Sequence, residues 1–451
     1  MFKYTDFIGQ KACVLGSGKS GRAVASLLAD YGLDVLISDS NPNPQLQPTM
    51  RIEVETGGHT AHVFTCGFFV KSPGILPSSH VLQAAKAQHI PIFSELEVAL
   101  SFLPKNVHVF AVTGTNGKTT TTALLGEILK KKAAREGKGQ QVWICGNIGS
   151  PVSGCVKKVQ PGDCVVIEVS SYQLEDSTYF HPHVAGLLNV TPDHLDHHGN
   201  MANYIKAKAR IFQEQTPEDV AVLNAADALC AQLAEKIQSQ VLAFSAQPKH
   251  WIKTDVFFDG DELIFSGEQP VCPPRLKGIH NVENAMAAAL MALADGATSE
   301  DVQSAFDQFQ AMEHRIETVA QVRGVTYIND SKATNLDSTI TALKSFDKDN
   351  RIWLILGGRD KGASYEVLLP YLKTHCKQVL SVGESMDKIE RELKGEFPIT
   401  RCETLEKAVA YAAHNAQTGD IVLLSPACAS FDQFKSFEER GNVFKELVKK
   451  L

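Results

Sequence analysis

Residues Thr113 to Thr120 read TGTNGKTT and lie between the apolar run VHVFAV and the helix-like stretch TTTTALLGEILKKKA. A buried strand that stops at glycine and restarts as a helix fits few folds, and most of those are parallel α/β sheets. In such a loop the glycines let the backbone N–H groups of Gly114, Thr115, Asn116 and Gly117 turn inward around phosphate oxygens. Lys118 brings a cation to the outer phosphates, and Thr119 and Thr120 follow with hydroxyls, the first within reach of Mg2+. The spacing departs from the common G-x-x-x-x-G-K-[ST] loop, because Val112 holds the first glycine's place. The plain alternative is a glycine turn that only starts a helix.

The same alternation recurs along the chain. KACVLG and DVLISD flank GSGKSG near the start; DCVVIEVS, VAGLLNVT and VAVLN follow the phosphate loop; VTYIND, RIWLILGG, QVLSVG and DIVLLSPA follow FQAMEHR. Nearly unbroken apolar runs suit strands covered on both faces. With 451 residues, about three ordinary domains fit. The pattern predicts three doubly wound α/β domains: a Rossmann-like N-terminal domain over 1–105, a P-loop ATPase domain over 106–312 and a Rossmann-like C-terminal domain over 313–451. WIKTDVFFDGDELIF alternates around a DG turn and predicts a hairpin. NVENAMAAALMALADG predicts a buried helix closed at Gly296, and KKKAAREGKGQQ a solvated helix end and loop.

Acids outnumber Lys and Arg by 51 to 44, a net charge of −7 that argues against bulk nucleic-acid binding but leaves room for a local basic pocket. No run approaches the ~18 apolar residues of a membrane span, and MFKYTDFIGQ lacks the basic start and apolar stretch of a secretory signal. None of the ten cysteines forms a C-x-x-C pair, so they are expected as buried thiols of a cytoplasmic protein.

VVIE places Glu168 at the end of an apolar strand, where a carboxylate can hold Mg2+ opposite a phosphate loop. CGNIG, Cys145 to Gly149, could form a ligand-facing loop between them. PDHLDHHGN then crowds Asp193, His194, Asp196, His197 and His198 together. His194, right after a strand, is the better metal ligand, whereas His197 and His198 are expected as surface histidines. Lys206, Lys208 and Arg210 on the next helix would ordinarily be a solvated face. Near the start, Gly16 to Gly21 fits G-x-G-x-x-G, and Asp39 ends the following strand. That pair fits an NAD site, a nucleotide-sugar diphosphate or a tight packing turn alike.

TGTNGKTT, CGNIG, EVSSYQLE, LNVTPDHLDHH, IHNVENAMAA, MEHRIE, INDSKATN and SPACASFDQFKSFEERG, in this order, resemble the Mur ligases across essentially the whole chain. EVSSYQLE, INDSKATN and SPACASFDQF are most similar to members that add D-glutamate to UDP-N-acetylmuramoyl-L-alanine in peptidoglycan precursor synthesis. The resemblance implies an ATP-dependent amide ligase acting through an acyl phosphate, with domains for the UDP-substrate, ATP and the amino acid. It implies ATP contacts at Lys118, Thr119, Asn281, Arg315 and Asp330, the last two on phosphate and ribose. It implies two Mg2+ ions held by Thr119, Glu168, His194 and Lys208, the lysine as a CO2-derived carbamate. The UDP-substrate would meet Ser17, Gly18, Lys19, Ser20, Asp39, Ser40, Ser72, Gly74 and Asn147. Glutamate would meet Lys332, Thr334, Lys361, Ser430 and Phe437, whose cations and hydroxyls suit a dicarboxylate. Its partners would be small molecules, with no nucleic acid and no membrane span, and a monomer is expected.

Asn41 stands where many such members carry Arg, which leaves a diphosphate more dependent on backbone N–H groups, and Asp360 is displaced by one place relative to some members. A nucleotide-binding dehydrogenase is a competing reading that leaves Lys118 and Glu168 unexplained. A P-loop switch protein leaves the Lys332 and Ser430 motifs unexplained. A folylpolyglutamate synthase, or another Mur ligase, shares the ATPase block but not the pairing of INDSKATN with ACASFDQF.

Overall fold

Each of the apolar runs forms a strand, and all three groups of runs assemble as sheets with helical connections. The computed structural model describes residues 2–42, 47–276, 278–310, 313–349, 351–360 and 362–451. Among these residues the first sheet has the order Ile52–Thr56, Asp34–Asp39, Lys11–Leu15, Phe68–Lys71, Ile92–Ser94, with every pairing parallel. The chain begins in the middle, runs out to one edge and returns to the other side. That reversal opens a crevice between the loops after Leu15 and Lys71, the usual ligand position in such sheets.

The second sheet has the order Leu263–Phe265, Val256–Phe258, Gln240–Ser245, Val220–Asn224, Val184–Leu187, His108–Thr113, Cys164–Glu168, Val142–Gly146. It is parallel until the last hairpin, where Val256–Phe258 pairs antiparallel with Leu263–Phe265 around the expected DG turn. His108–Thr113 lies between the strands that follow it on both sides, so the phosphate loop emerges where the order reverses. Leu124, Leu125 and Ile128 of the helix Lys118–Glu136 join Phe110, Val166, Ala285 and Ala288 in one apolar cluster.

The third sheet has the order Glu317–Val322, Val325–Asn329, Ile421–Leu424, Ile352–Gly357, Cys376–Val382, Ile399–Glu403, parallel except for the first pair. Ile52–Thr56, Ile92–Ser94, Val142–Gly146, Glu317–Val322 and Ile399–Glu403 went unnoticed in the sequence and are sheet edges; the interior strand Gln240–Ser245 went unnoticed as well. An edge strand is covered incompletely, so it lacks the unbroken apolar run that marks an interior one.

Residues 1–274 and 282–309 form one compact unit, and residues 275–281 and 310–451 a second. Inside the first unit, one apolar cluster continues from Leu96, Val98 and Phe102 to Val107, Val152 and Val156. Polar links join the same two sheets. Glu95 accepts the Ser153 N–H at 3.0 Å, Glu97 accepts the Tyr179 N–H at 2.7 Å, and the buried Lys71 pairs with Asp176. Nine of the ten cysteines are buried, and Cys272 is exposed. No helix among the described residues is long and apolar enough to cross a membrane.

Candidate active site

The phosphate loop is fixed from one side by Asn189. Its carbonyl accepts the Thr115 N–H at 3.0 Å, its side-chain oxygen accepts the Asn116 N–H at 2.8 Å, and its amide donates back to the Asn116 carbonyl at 3.1 Å. Those two N–H groups therefore shape the loop. The donors aimed past it are at the start of the helix Lys118–Glu136, ahead of the first intrahelical bond from Thr121 N–H to Gly117. Gly117 has φ +87°, and a Cβ there would stand 2.2 Å from Asn284 Oδ1, so the turn into the helix needs glycine for both conformation and space. Asn189 carried no signal in LNVT, because its role depends on a residue seventy-three positions away.

Lys118 folds back over the loop and donates to the carbonyls of Gly114 and Thr115 at 2.8 and 2.7 Å. Lys208 reaches the same Gly114 carbonyl at 2.8 Å from the helix Met201–Ala209. Unlike the exposed Lys206, it is 1% exposed, with its Nζ 4.7 Å from the Tyr204 ring centroid. Burial, then the Lys118 charge, hold its amine well below the usual lysine range. Burial beside another cation favours the neutral form of an amine, which is its nucleophilic form.

Glu168 ends its strand beside Val112 and Gly146 in register. Its Oε1 accepts the Asn147 side-chain amide at 2.9 Å, while its buried Oε2 has no hydrogen-bond partner among the described residues. A buried carboxylate oxygen with no donor is the position a hard divalent cation satisfies, so the residues fit Mg2+ here. His194 caps the short helix Leu195–His198 with φ +54°, and its Nδ1 lies 2.7 Å from the Tyr172 hydroxyl, the kind of outer partner that orients a metal-binding imidazole. His197 and His198 differ from expectation. Their side chains are 7% and 0% exposed, packed against Tyr172 and facing Glu175.

In the first sheet's crevice lies a cleft of about 1150 Å³. Gly18, Lys19, Ser20, Asp39, Ser40, Ser72, Gly74 and Asn147 line it, as does Asn41. Ser17 stays out of the lining and acts on Asp39 instead: its N–H and hydroxyl donate to Oδ2 at 2.6 and 2.7 Å, and Asn41 N–H donates to Oδ1 at 2.9 Å. Burial opposes the Asp39 charge, but these bonds from Asn41 and Ser17 hold its carboxyl below the usual range. The hydroxyls of Ser72 and Ser79 are buried there without partners among the described residues, as suits a polar ligand. His59, Phe64 and His80 also line the cleft and escaped the sequence reading; Phe64 lies in the short helix Ala61–Thr65 and His80 opens the helix His80–Ala87, and none of the three belongs to a motif. Asn147 belongs to both places: it lines this cleft and donates to Glu168.

In the second unit the named residues collect at the corresponding sheet edge. Asp330 follows Val325–Asn329 and accepts the Ser425 hydroxyl at 2.7 Å; burial pushes its carboxyl up to about 7 against the pull of Ser425 and Arg315. Arg315 sits between His314 at φ +62° and Ile316 at φ +45°, and a β-branched residue in that region is strained. Burial and then Arg315 lower His280 to about 4, while the neighbouring Asn281 is buried. Lys332 Nζ lies 5.4 Å from the Phe437 ring centroid, Thr334 N–H donates to the Lys332 carbonyl, and Ser430 is buried. Lys361 lies outside the described residues. Asp360 is held by Lys388 at 2.9 Å and by the Tyr365 hydroxyl at 3.2 Å. The buried Arg440, absent from the sequence reading, donates to Ser331 and to the Cys428 carbonyl and so ties the Lys332 loop to the Ser430 loop.

Residues 10–94 match the Mur ligase MurD-like N-terminal domain, residues 112–292 the Mur ligase middle domain, and residues 314–428 the Mur ligase glutamate ligase domain. The chain is 54% identical to the UDP-N-acetylmuramoylalanine-D-glutamate ligase of Elusimicrobium minutum over 100% of both. It is 44% identical to the protein of the same name from Koribacter versatilis, over 99% of this chain and 98% of that one. Among solved structures, UDP-N-acetylmuramate-alanine ligase MurC from Thermotoga maritima shares the fold at TM-score 0.62 and 19% identity, covering 98% of this chain and 99% of that one. A pseudomurein peptide ligase type C from Methanothermus fervidus gives the same TM-score, identity and coverage. With three family domains in order and full-length relatives at these identities, the chain belongs to the Mur ligase family.

Proposed function

We propose that this chain is an ATP-dependent ligase of peptidoglycan synthesis that joins D-glutamate to UDP-N-acetylmuramoyl-L-alanine, releasing ADP and phosphate. The observation that carries the reading is Asn147, which borders the cleft and also donates to Glu168. A substrate whose UDP end fills the cleft would then bring its alanyl carboxylate toward the phosphate loop. The full-length relatives named for this reaction support the choice of substrates.

A carboxylate is a poor electrophile, and transfer of the terminal phosphoryl group of ATP gives it a leaving group. The amine of D-glutamate then attacks the acyl carbon, loses a proton, and phosphate departs from the tetrahedral intermediate. The protein's work is to hold the reactants in line and offset negative charge. In this reading the helix start at Lys118–Thr120, the Lys118 ammonium and Arg315 meet the phosphates, Asp330 meets the ribose, and Asn281 is a further ATP contact. Thr119, Glu168 and His194 would bind Mg2+, which neutralises phosphate charge. Carbamylation of Lys208 by CO2 would exchange a buried amine for an anion and add an oxygen ligand; the depressed amine of Lys208 supports this, since only the neutral form attacks CO2. Lys332, Thr334, Lys361, Ser430 and Phe437 would receive glutamate, with Arg440 positioning two of their loops. The reading carries with it a cytoplasmic monomer acting on small molecules, with the domain limits expected from the sequence.

The test is phosphate release by the purified chain given ATP, Mg2+, UDP-N-acetylmuramoyl-L-alanine and each amino acid in turn. Release that requires D-glutamate is expected; release with another amino acid, or with none, overturns the proposal.

A further inference from the structure

Glu175, His197 and His198 take no part in the proposed reaction, yet their ligand atoms lie within 4.8 Å of one another. Glu175 closes the helix Ser171–Glu175, whose start is locked by a capping box between Ser170 and Gln173. The two histidines end the facing helix Leu195–His198. Tyr172 packs between, with ring centroids 4.2 Å from His197 and 5.7 Å from His198.

The polar atoms are unevenly satisfied. His197 Nε2 lies 2.8 Å from Glu175 Oε2. His198 has its Nε2 3.0 Å from Ser171 Oγ, but its Nδ1 stands 3.6 Å from Glu175 Oε1 and has no hydrogen-bond partner among the described residues. The His198 side chain is fully buried. Its Nδ1 therefore faces a carboxylate oxygen with no hydrogen bond between them. With its proton lost, that nitrogen and the carboxylate oxygen can share a cation. A serine on the far nitrogen is also the outer partner that metal-bound imidazoles commonly have.

We propose that Glu175, His197 and His198 form a binding site for a zinc-class divalent cation, separate from the Mg2+ site at the phosphate loop. Two imidazole nitrogens and one carboxylate favour zinc-class ions over Mg2+, which prefers oxygen ligands and keeps much of its water. Bonds of about 2.0–2.1 Å in a tetrahedron separate neighbouring ligand atoms by roughly 3.3 Å. Two of the present separations, 2.8 and 3.6 Å, lie on either side of that value, and all three ligand atoms lie within 4.8 Å of one another. Glu175 is partly exposed, which leaves room for water as a fourth ligand. The ion would pin the two short helices together across Tyr172, whose hydroxyl meets His194 at 2.7 Å.

The test uses the full chain, stripped of metal by a chelator and saturated with Mg2+ to fill the oxygen-rich site. Co2+ is then titrated and followed by its visible ligand-field absorption, and Zn2+ by its displacement of Co2+. One Co2+ per chain with intense, tetrahedral-type absorption is expected, resistant to excess Mg2+. His197→Gln keeps a hydrogen-bonding side chain beside Glu175 and should weaken Co2+ affinity at least about tenfold. Glu175→Gln should do the same, so that if one variant fails to fold the other decides. His194→Gln should leave the absorption in place. Displacement of Co2+ by Mg2+, unchanged affinity in a folded His197→Gln or Glu175→Gln chain, or loss of the signal in folded His194→Gln would each overturn the proposal.

Discussion

GSGKSG in the first sheet and TNGKTT in the second both follow a parallel strand, both lie where the strand order reverses, and both place a lysine at the first residue of a helix, Lys19 and Lys118. Their surroundings differ. Lys19 is exposed and reaches away to the Gly149 carbonyl, whereas Lys118 folds onto its own loop and shares the Gly114 carbonyl with the buried Lys208. Asp39, the acid of the first turn, accepts bonds on both oxygens, while Glu168, the acid of the second, keeps one buried oxygen without a donor among the described residues. A saturated carboxylate acts as a strut for its loop. A buried carboxylate with an unmet oxygen is incomplete without a cation. In the proposed reading the two turns divide the labour, one shaping a cleft and the other assembling charge for phosphate chemistry.

The sharpest way to break this comparison is to remove each lysine. Lys118→Ala should lower the rate of ADP release by about a thousandfold or more, since it deletes a charge aimed at the transferring group. Lys19→Ala should chiefly raise KM for the UDP-substrate, and equal losses of kcat in the two variants would erase the distinction. Glu168→Gln keeps the shape and the Asn147 contact while removing the charge. A loss of about a hundredfold in kcat, with a higher Mg2+ requirement, is expected from steady-state titration of the ion. Lys208→Ala should cost about tenfold to a hundredfold in kcat, partly restored by acetate or bicarbonate if a carboxylate is what the site lacks. Undiminished turnover in that variant would return Lys208 to the role of packing. Asp39→Asn, the matching change in the first turn, should raise KM for the UDP-substrate by about tenfold at unchanged Mg2+ dependence, as measured by initial rates.

The smallest expected effect concerns stability in the second unit. Burial raises the folded-state pKa of Asp330 from the ordinary 3.8 to about 7. Between those values the folded chain binds more protons than the unfolded one, so this group's contribution to stability falls as pH rises. Asp330→Asn removes the slope. The melting temperature of the native chain should therefore decline relative to the variant from about pH 4 to pH 7, and parallel profiles would show that Asp330 is not buried in this way.

Much of this was legible along the chain. Interior strands such as Val220–Asn224 and Ile352–Gly357 announce themselves because a strand covered on both faces must be apolar throughout. Edge strands such as Ile399–Glu403 do not, for the opposite reason. His197 and His198 were expected at the surface because a run of polar residues ordinarily marks a solvated loop. Their burial follows from Tyr172 and Glu175, over twenty positions away, which no local pattern encodes. Arg440 was invisible likewise, since its partners Ser331 and Cys428 come from two other loops.

The sequence by itself determined the order of elements and the kind of chemistry each loop offers. Backbone preference and apolar period are local properties, and a glycine before a lysine at a helix start carries its meaning with it. Only the tertiary structure decided which charges are satisfied. The depressed amine of Lys208, the unmet oxygen of Glu168 and the saturated carboxylate of Asp39 depend on burial and on partners distant in the chain. The electrostatic energy of a group is fixed by what surrounds it in space rather than by its sequence neighbours.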